Sequence, residues 1–243
     1  YSSRGPTRSY WTDTNGVKHY DNLIKPEITA PGNKTIFAES PDNYLLSQNP
    51  DLDVKVSNVQ TKRQMMLSGT SMASPLVAGA AALMLEANPT LTPNMIKMLL
   101  MYTAQQLPNF NMFEQGSGEL NVDGAVRLAK LVRTTINSST TLGASLLNAP
   151  APLPQTTITL PLGVYTFQWS QGIIVGQTYV TGTALINQYQ RVYAKGVLLG
   201  DGVLIGDGVL VGDGVLVGDG VLVGDSTMFS TGVLVGDSIL ISD

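Results

Sequence analysis

The chain has 243 residues, 43% hydrophobic and 13% charged, with a formal net charge of −4. That is enough apolar material for a packed core, which excludes a wholly disordered chain, and the charge offers no footprint for nucleic acid. There is no cysteine and a single histidine, His19, which excludes disulfide frameworks, thiolate metal sites, cysteine nucleophiles and any site that draws two imidazoles from this chain.

Position 1 is Tyr, with no signal-peptide pattern, so the sequence reads as starting after processing or as a fragment of a longer protein. No stretch reads as the roughly 18 apolar residues of a membrane span. The polar insert Thr12-Asp13-Thr14-Asn15-Gly16-Val17-Lys18 precedes His19, and its context makes His19, Asp13 and Asp21 surface-loop residues rather than a general base and its partner. Ile24 to Pro31 and Lys34 to Phe37 read as short extended pieces broken by Pro and Gly.

Three helices follow. The first runs from Thr70 to about Glu86, is apolar nearly all round and is expected to be buried; Asn88-Pro89 ends it. The second starts with Thr92 as N-cap and Pro93 at the first helical position, and carries Met95, Ile96, Leu99, Leu100 and Tyr102 to about Leu107. A third spans Val122 to Leu131, after the turn Gln115-Gly116-Ser117-Gly118.

A polar, proline-containing stretch separates these helices from the C-terminus. Residues 136–195 read as a linker and β-rich strap, with short strands at Thr156 to Leu160, Val164 to Trp169, Ile173 to Val175 and Tyr179-Val180. Phe167, Trp169, Tyr189 and Tyr193 suit packing better than a sugar or partner surface. Asn137-Ser138-Ser139 matches a glycosylation sequon, a short pattern that recurs by chance.

Residues 196–243 are eight hexads without insertion: GVLLGD, GVLIGD, GVLVGD three times, a degenerate STMFST, GVLVGD and SILISD. This tail holds seven Asp and no Lys or Arg. Its period resembles that of left-handed parallel β-helices, in which three hexads form one triangular coil with Gly and Asp at the corners. The other reading is a low-complexity tail of short strands that pairs with itself between chains. Regular Asp suits solvated corners better than a calcium site.

The chemistry sits at the first helix. In Gly69-Thr70-Ser71-Met72-Ala73-Ser74-Pro75 a loop runs straight into a helix N-terminus, whose unpaired N–H groups can steady the oxyanion formed when a serine attacks a carbonyl. A plain N-cap role for Ser71 or Thr70 fits the short string as well. The longer string, to Leu76-Val77-Ala78-Gly79, resembles the nucleophile signature of the subtilisin-like serine proteases, the subtilases. Two more segments are similar to that family's and stand in its order: Ser2-Ser3-Arg4-Gly5-Pro6 with Lys25-Pro26-Glu27-Ile28-Thr29-Ala30-Pro31-Gly32, and Gly116-Ser117-Gly118-Glu119-Leu120-Asn121-Val122 with Gly124-Ala125.

The resemblance implies an α/β fold, with residues 1–135 the C-terminal part of a parallel-sheet catalytic domain. It implies Ser71 as nucleophile in an acyl-enzyme mechanism, its own N–H as one oxyanion donor, and Gly69 and Thr70 flanking the cleft. The family's Asp and His, and the Asn of its second oxyanion donor, have no matched position here. The parent is therefore expected to be a secreted serine endopeptidase acting on protein or peptide substrates. This chain, without its base, is expected to be inactive alone until the N-terminal part of the peptidase domain joins it. Calcium enters only through the resemblance, and no residue here reads as a metal ligand. The rival expectation is a non-catalytic structural or attachment module carrying a repeat tail.

Overall fold

A computed structural model describes residues 2–137, 139–190 and 193, and seven strands between residues 197 and 241. The chain divides into two compact units, one of residues 30–79 with the first two, the other of residues 3–29 and 80–243.

In the smaller unit, β3 (Thr35–Ala38) and β4 (Gln64–Leu67) form an antiparallel pair that opposes Thr35 to Leu67 and Ile36 to Met66. Between them lie the short helix α1 (Tyr44–Gln48), whose N-cap Asn43 accepts from the Leu45 amide, and two 3-10 turns. Met65 is the side chain buried here. β4 leads directly into α2 (Thr70–Ala87).

The larger unit opens with an exposed hairpin, β1 (Tyr10–Thr12) and β2 (Lys18–Tyr20). Its core is built on α3 (Pro93–Thr103), where Met95, Met98, Leu99, Leu100, Met101, Tyr102 and Thr103 are all buried. Each fully buried aliphatic side chain contributes about 2 kcal/mol. Thr92 caps α3 by accepting from the Met95 amide at 3.1 Å. The expected continuation to Leu107 does not form. Ala104 turns extended, and Gln105 exchanges backbone hydrogen bonds with Glu119, at 2.9 and 2.7 Å. A backbone ladder partner has displaced the next helical turn.

After α4 (Met112–Gln115) the chain turns at Gly116, whose φ is +63°. A Cβ there would stand 2.3 Å from the carbonyl oxygens of Pro26 and Glu27, so the approach of these two segments requires glycine. α5 (Val122–Leu131) has the bounds its sequence predicts, with Asn121 accepting from the Gly124 amide.

The hairpins β5 (Gln155–Leu160)–β6 (Gly163–Gln168) and β7 (Gly172–Val175)–β8 (Thr178–Thr181) follow, then the short α6 (Ala184–Asn187). All four residues of β7 are buried. Trp169, Tyr189 and Tyr193 are buried as well, so these aromatics serve packing.

Other expectations change as well. α2 is not enclosed: Ala80 and Met84 are buried, but Leu83 and Leu85 are 47% and 40% exposed. An apolar helix is enclosed only if layers cover every face, and the described residues cover one stripe of it. At 18 residues α2 is also long and apolar enough to cross a membrane, which the sequence expectation denied to every segment; core helices of soluble proteins share that signature. A further change concerns the expected parallel sheet. Among the described residues up to 190, every strand pair is a two-stranded antiparallel ladder, and parallel pairing is confined to the bridge Thr29–Glu119.

The seven C-terminal strands do pair in parallel, in two sheets. β9 (Val197–Leu199), β11 (Gly208–Val211), β13 (Gly220–Val223) and β15 (Ser238–Ile241) form one, and β10 (Gly202–Ile205), β12 (Gly214–Val217) and β14 (Val233–Val235) the other. Val197 opposes Val209, Gly202 opposes Gly214 and Val209 opposes Val221, so up to Val223 a hexad pairs with the second one along. Up to Val223 this two-hexad register differs from the expected three-hexad coil, and it follows from strands alternating between two sheets. Across the STMFST unit the step lengthens, and Val215 opposes Val233. The Gly-Asp junctions of the hexads, STMFST itself and Ser138 of the sequon lie outside the described residues.

Candidate active site

Ser71 is the second residue of α2 and is exposed, as are Thr70 and Ser74. The first turn of a helix leaves its N–H groups without intrahelical acceptors, so the amide of Ser71 lies where it can donate outward. The Met72 amide donates back to the Gly69 carbonyl at 3.0 Å, and the Ser74 hydroxyl to the Thr70 carbonyl at 3.1 Å. Pro75 has no N–H to offer the carbonyl of Ser71, four residues before it. Ser71, Gly69 and Thr70 thus share one exposed loop-to-helix junction, as their adjacency requires.

The junction is held from one side by residues 32–34. The Gly69 amide donates to the Gly32 carbonyl at 2.7 Å. The Lys34 amide donates to Ser68 Oγ at 2.8 Å, and Ser68 Oγ donates to Asn33 Oδ1 at 3.0 Å. Gly32 lies so close that a Cβ would stand 2.6 Å from the Gly69 oxygen and 3.2 Å from the Ala73 Cβ. In the sequence Gly32 is part of a motif without a task of its own, and Asn33 and Ser68 do not stand out. The available signal was a hydroxyl residue directly before Gly-Thr-Ser at the end of a strand.

His19 is engaged within the exposed β1–β2 hairpin. Its ring stacks on Trp11 with centroids 4.3 Å apart and planes 14° apart, and Nε2 lies 3.1 Å from Asp13 Oδ2. Asp13 also accepts from the amides of Asn15 and Val17, so it organises the turn. The hydrogen bond from His19, followed by that from Val17, holds the Asp13 carboxyl below its ordinary range. Asp21 accepts from the Thr7 hydroxyl at 2.7 Å. All three are hairpin or loop residues, as their sequence context suggests; the pairing of Asp13 with His19 leaves no mark in that context.

Glu27, in the segment before Gly32, accepts from Lys97 Nζ at 2.6 Å and from Lys25. Burial pushes its pKa up, but the two ammonium groups outweigh burial and hold it below the usual carboxylate range. Among the described residues, no three His, Asp or Glu side chains gather as a metal site would need.

Comparison with known proteins supplies the class. The peptidase S8 model, that of the subtilase family, matches residues 1–124, just over half of the chain. The chain belongs to the subtilase family. It is 36% identical to serine protease AprX of Bacillus subtilis over 126 residues, 52% of this chain and 24% of that protein. It is 34% identical to subtilisin-like protease SBT4.3 of Arabidopsis thaliana over 125 residues, 50% of this chain and 15% of the other. A shorter match, 46% over 59 residues, joins it to the membrane-bound transcription factor site-1 protease of Mus musculus, covering 23% of this chain and 6% of that one. The chain thus spans a quarter or less of these relatives, and the family is one of serine proteases.

Proposed function

We propose that this chain is the nucleophile-bearing part of a subtilisin-like serine endopeptidase, with Ser71 attacking the scissile carbonyl of a protein or peptide substrate. The observation that carries this is the exposed serine at the N-terminus of α2, on a loop pinned by Gly32. The Ser71 amide supplies one oxyanion donor, and Gly69 and Thr70 flank the cleft. The base, its orienting carboxylate and the second oxyanion donor come from a further part of the parent, since His19 is committed to Asp13 and Trp11 within its hairpin. Without them a serine hydroxyl is a poor nucleophile, and the chain alone is inactive.

The uncovered face of α2, with Leu83 and Leu85, suits docking of that missing part. Like several named relatives the parent is a protease; we assign it to the secreted or cell-surface space. Calcium enters this reading only through the family resemblance. Fluorophosphonate labelling of the full-length parent tests the assignment: labelling lost on Ser71→Ala supports it, and a folded, unlabelled parent overturns it.

A second reading, a non-catalytic attachment or assembly module, draws support from the tail. Its strands pair hexad to like hexad in parallel, so a second copy offers the open edges the same sequence in the same register. Under this reading the chain associates with itself at rising concentration and loses that property when residues 196–243 are removed. Sedimentation velocity separates the cases.

A further inference from the structure

We propose that Ser68 is a positioning residue for the nucleophile loop, a hydroxyl latch that fixes the orientation of the first turn of α2 through Asn33 and Lys34. This rests on Ser71 being the nucleophile.

The β3–β4 ladder ends at Thr35 opposite Leu67. One residue beyond that pair stand Lys34 and Ser68, where the ladder gives way to side-chain bonding. Lys34 has φ of +51°, a left-handed conformation that is disfavoured for a residue with a side chain. Its amide goes to Ser68 Oγ at 2.8 Å in place of a ladder carbonyl. The Ser68 hydroxyl proton in turn goes to Asn33 Oδ1 at 3.0 Å. One hydroxyl therefore uses its donor and one of its acceptor sites on two consecutive residues of the facing loop.

The next residue adds a third bond, Gly69 amide to Gly32 carbonyl at 2.7 Å. The backbone bond alone fixes a separation and leaves rotation about itself open. The Ser68 pair adds a second point of attachment and removes that freedom. Ser71 follows two residues after Gly69, at the start of a helix that transmits the orientation. Reaction rate depends steeply on how the attacking oxygen is placed, and binding of a distant peptide does not, so the latch acts on kcat and leaves KM alone.

The experiment uses the full-length parent with a peptide amide substrate, for which attack by the serine limits turnover, and thermal unfolding to verify that each variant is folded. Ser68→Ala removes both side-chain bonds and lowers kcat about tenfold with KM little changed. Ser68→Thr keeps the hydroxyl and recovers most of the rate. Asn33→Ala removes only the acceptor and costs less, and the double variant is no slower than Ser68→Ala alone. A folded Ser68→Ala with the parent's kcat, a loss confined to KM, or a Thr variant as slow as the Ala variant overturns the latch. Should Ser68→Ala fail to fold, Asn33→Ala decides, and an unchanged kcat there overturns it too. Ser71→Ala is the control: retained activity removes the nucleophile assignment and the latch with it, whereas abolished activity beside a silent Ser68→Ala removes the latch alone.

Discussion

Gly32 gives its carbonyl oxygen to the amide of Gly69 at 2.7 Å, and it does so from a position where even a methyl group would collide with Gly69's own carbonyl oxygen, 2.6 Å away. The loop that carries Ser71 is seated on a glycine because only hydrogen fits between the two backbones. Gly32→Ala should therefore push the loops apart and destabilise the fold by about 1–3 kcal/mol. Denaturant unfolding of the variant measures this, and unchanged stability would show that the two loops separate freely.

Asn88, read in the sequence only as a helix stop, is buried and ties the end of α2 to the end of α5. Its Nδ2 donates to the carbonyls of Ala129 and Val132 at 3.1 and 2.9 Å, and its Oδ1 accepts from the Thr90 amide and hydroxyl. Asn88→Ala leaves buried carbonyls unpaired and should cost about 2–3 kcal/mol. The midpoint of thermal unfolding reads this directly, and Asn88→Asp should fare no better, since a carboxylate has no protons to donate to them.

Trp169 joins the strap to the helices. Its Nε1 donates to the Thr156 hydroxyl at 3.0 Å, its ring meets Tyr102 edge-on at 6.4 Å, and the Arg127 guanidinium lies 5.0 Å above it. Trp169→Ala should cost about 3–5 kcal/mol. For the same reason we expect a chain cut at residue 135 to lose cooperative unfolding, because it would uncover Tyr102 and the face of α3 that β7 covers. Circular dichroism of the truncated chain checks this.

Acid should weaken the larger unit through Glu27. Its folded pKa lies below the ordinary value of about 4.3. A depressed carboxylate stabilises the fold above its unfolded pKa, and that contribution is lost as pH falls through the folded pKa. Stability should therefore decline below about pH 4–5, and Lys97→Met should flatten that part of the profile. A profile identical in the variant would assign the acid sensitivity elsewhere.

Much of this architecture is legible in the residues. α5 begins and ends where predicted because Asn121 is a strong cap and the apolar spacing stops at Leu131. Val164 to Trp169 and Thr156 to Leu160 read as strands because β-branched and aromatic residues cluster there, and they pair as β5 and β6. Ser71 stands out because a glycine, a hydroxyl and a helix start are contiguous in the chain. What escaped was long-range. Gln105 ends α3 by pairing with Glu119, a partner fourteen residues on whose backbone leaves no mark at Gln105. Asn33 and Ser68, 35 residues apart in the chain, meet only because the β3–β4 ladder closes beside them. The hexad period fixed strand alternation in the tail, but equivalent units could not reveal which pairs with which.

The central claim is that Ser71 is the nucleophile of a parent peptidase that this chain only partly contains. Fluorophosphonate labelling tests it most directly, applied in parallel to the 243-residue chain, the full-length parent and its Ser71→Ala variant. The parent should take a label at Ser71, while the variant and the chain alone should take none. Labelling of the folded parent that survives Ser71→Ala would contradict it.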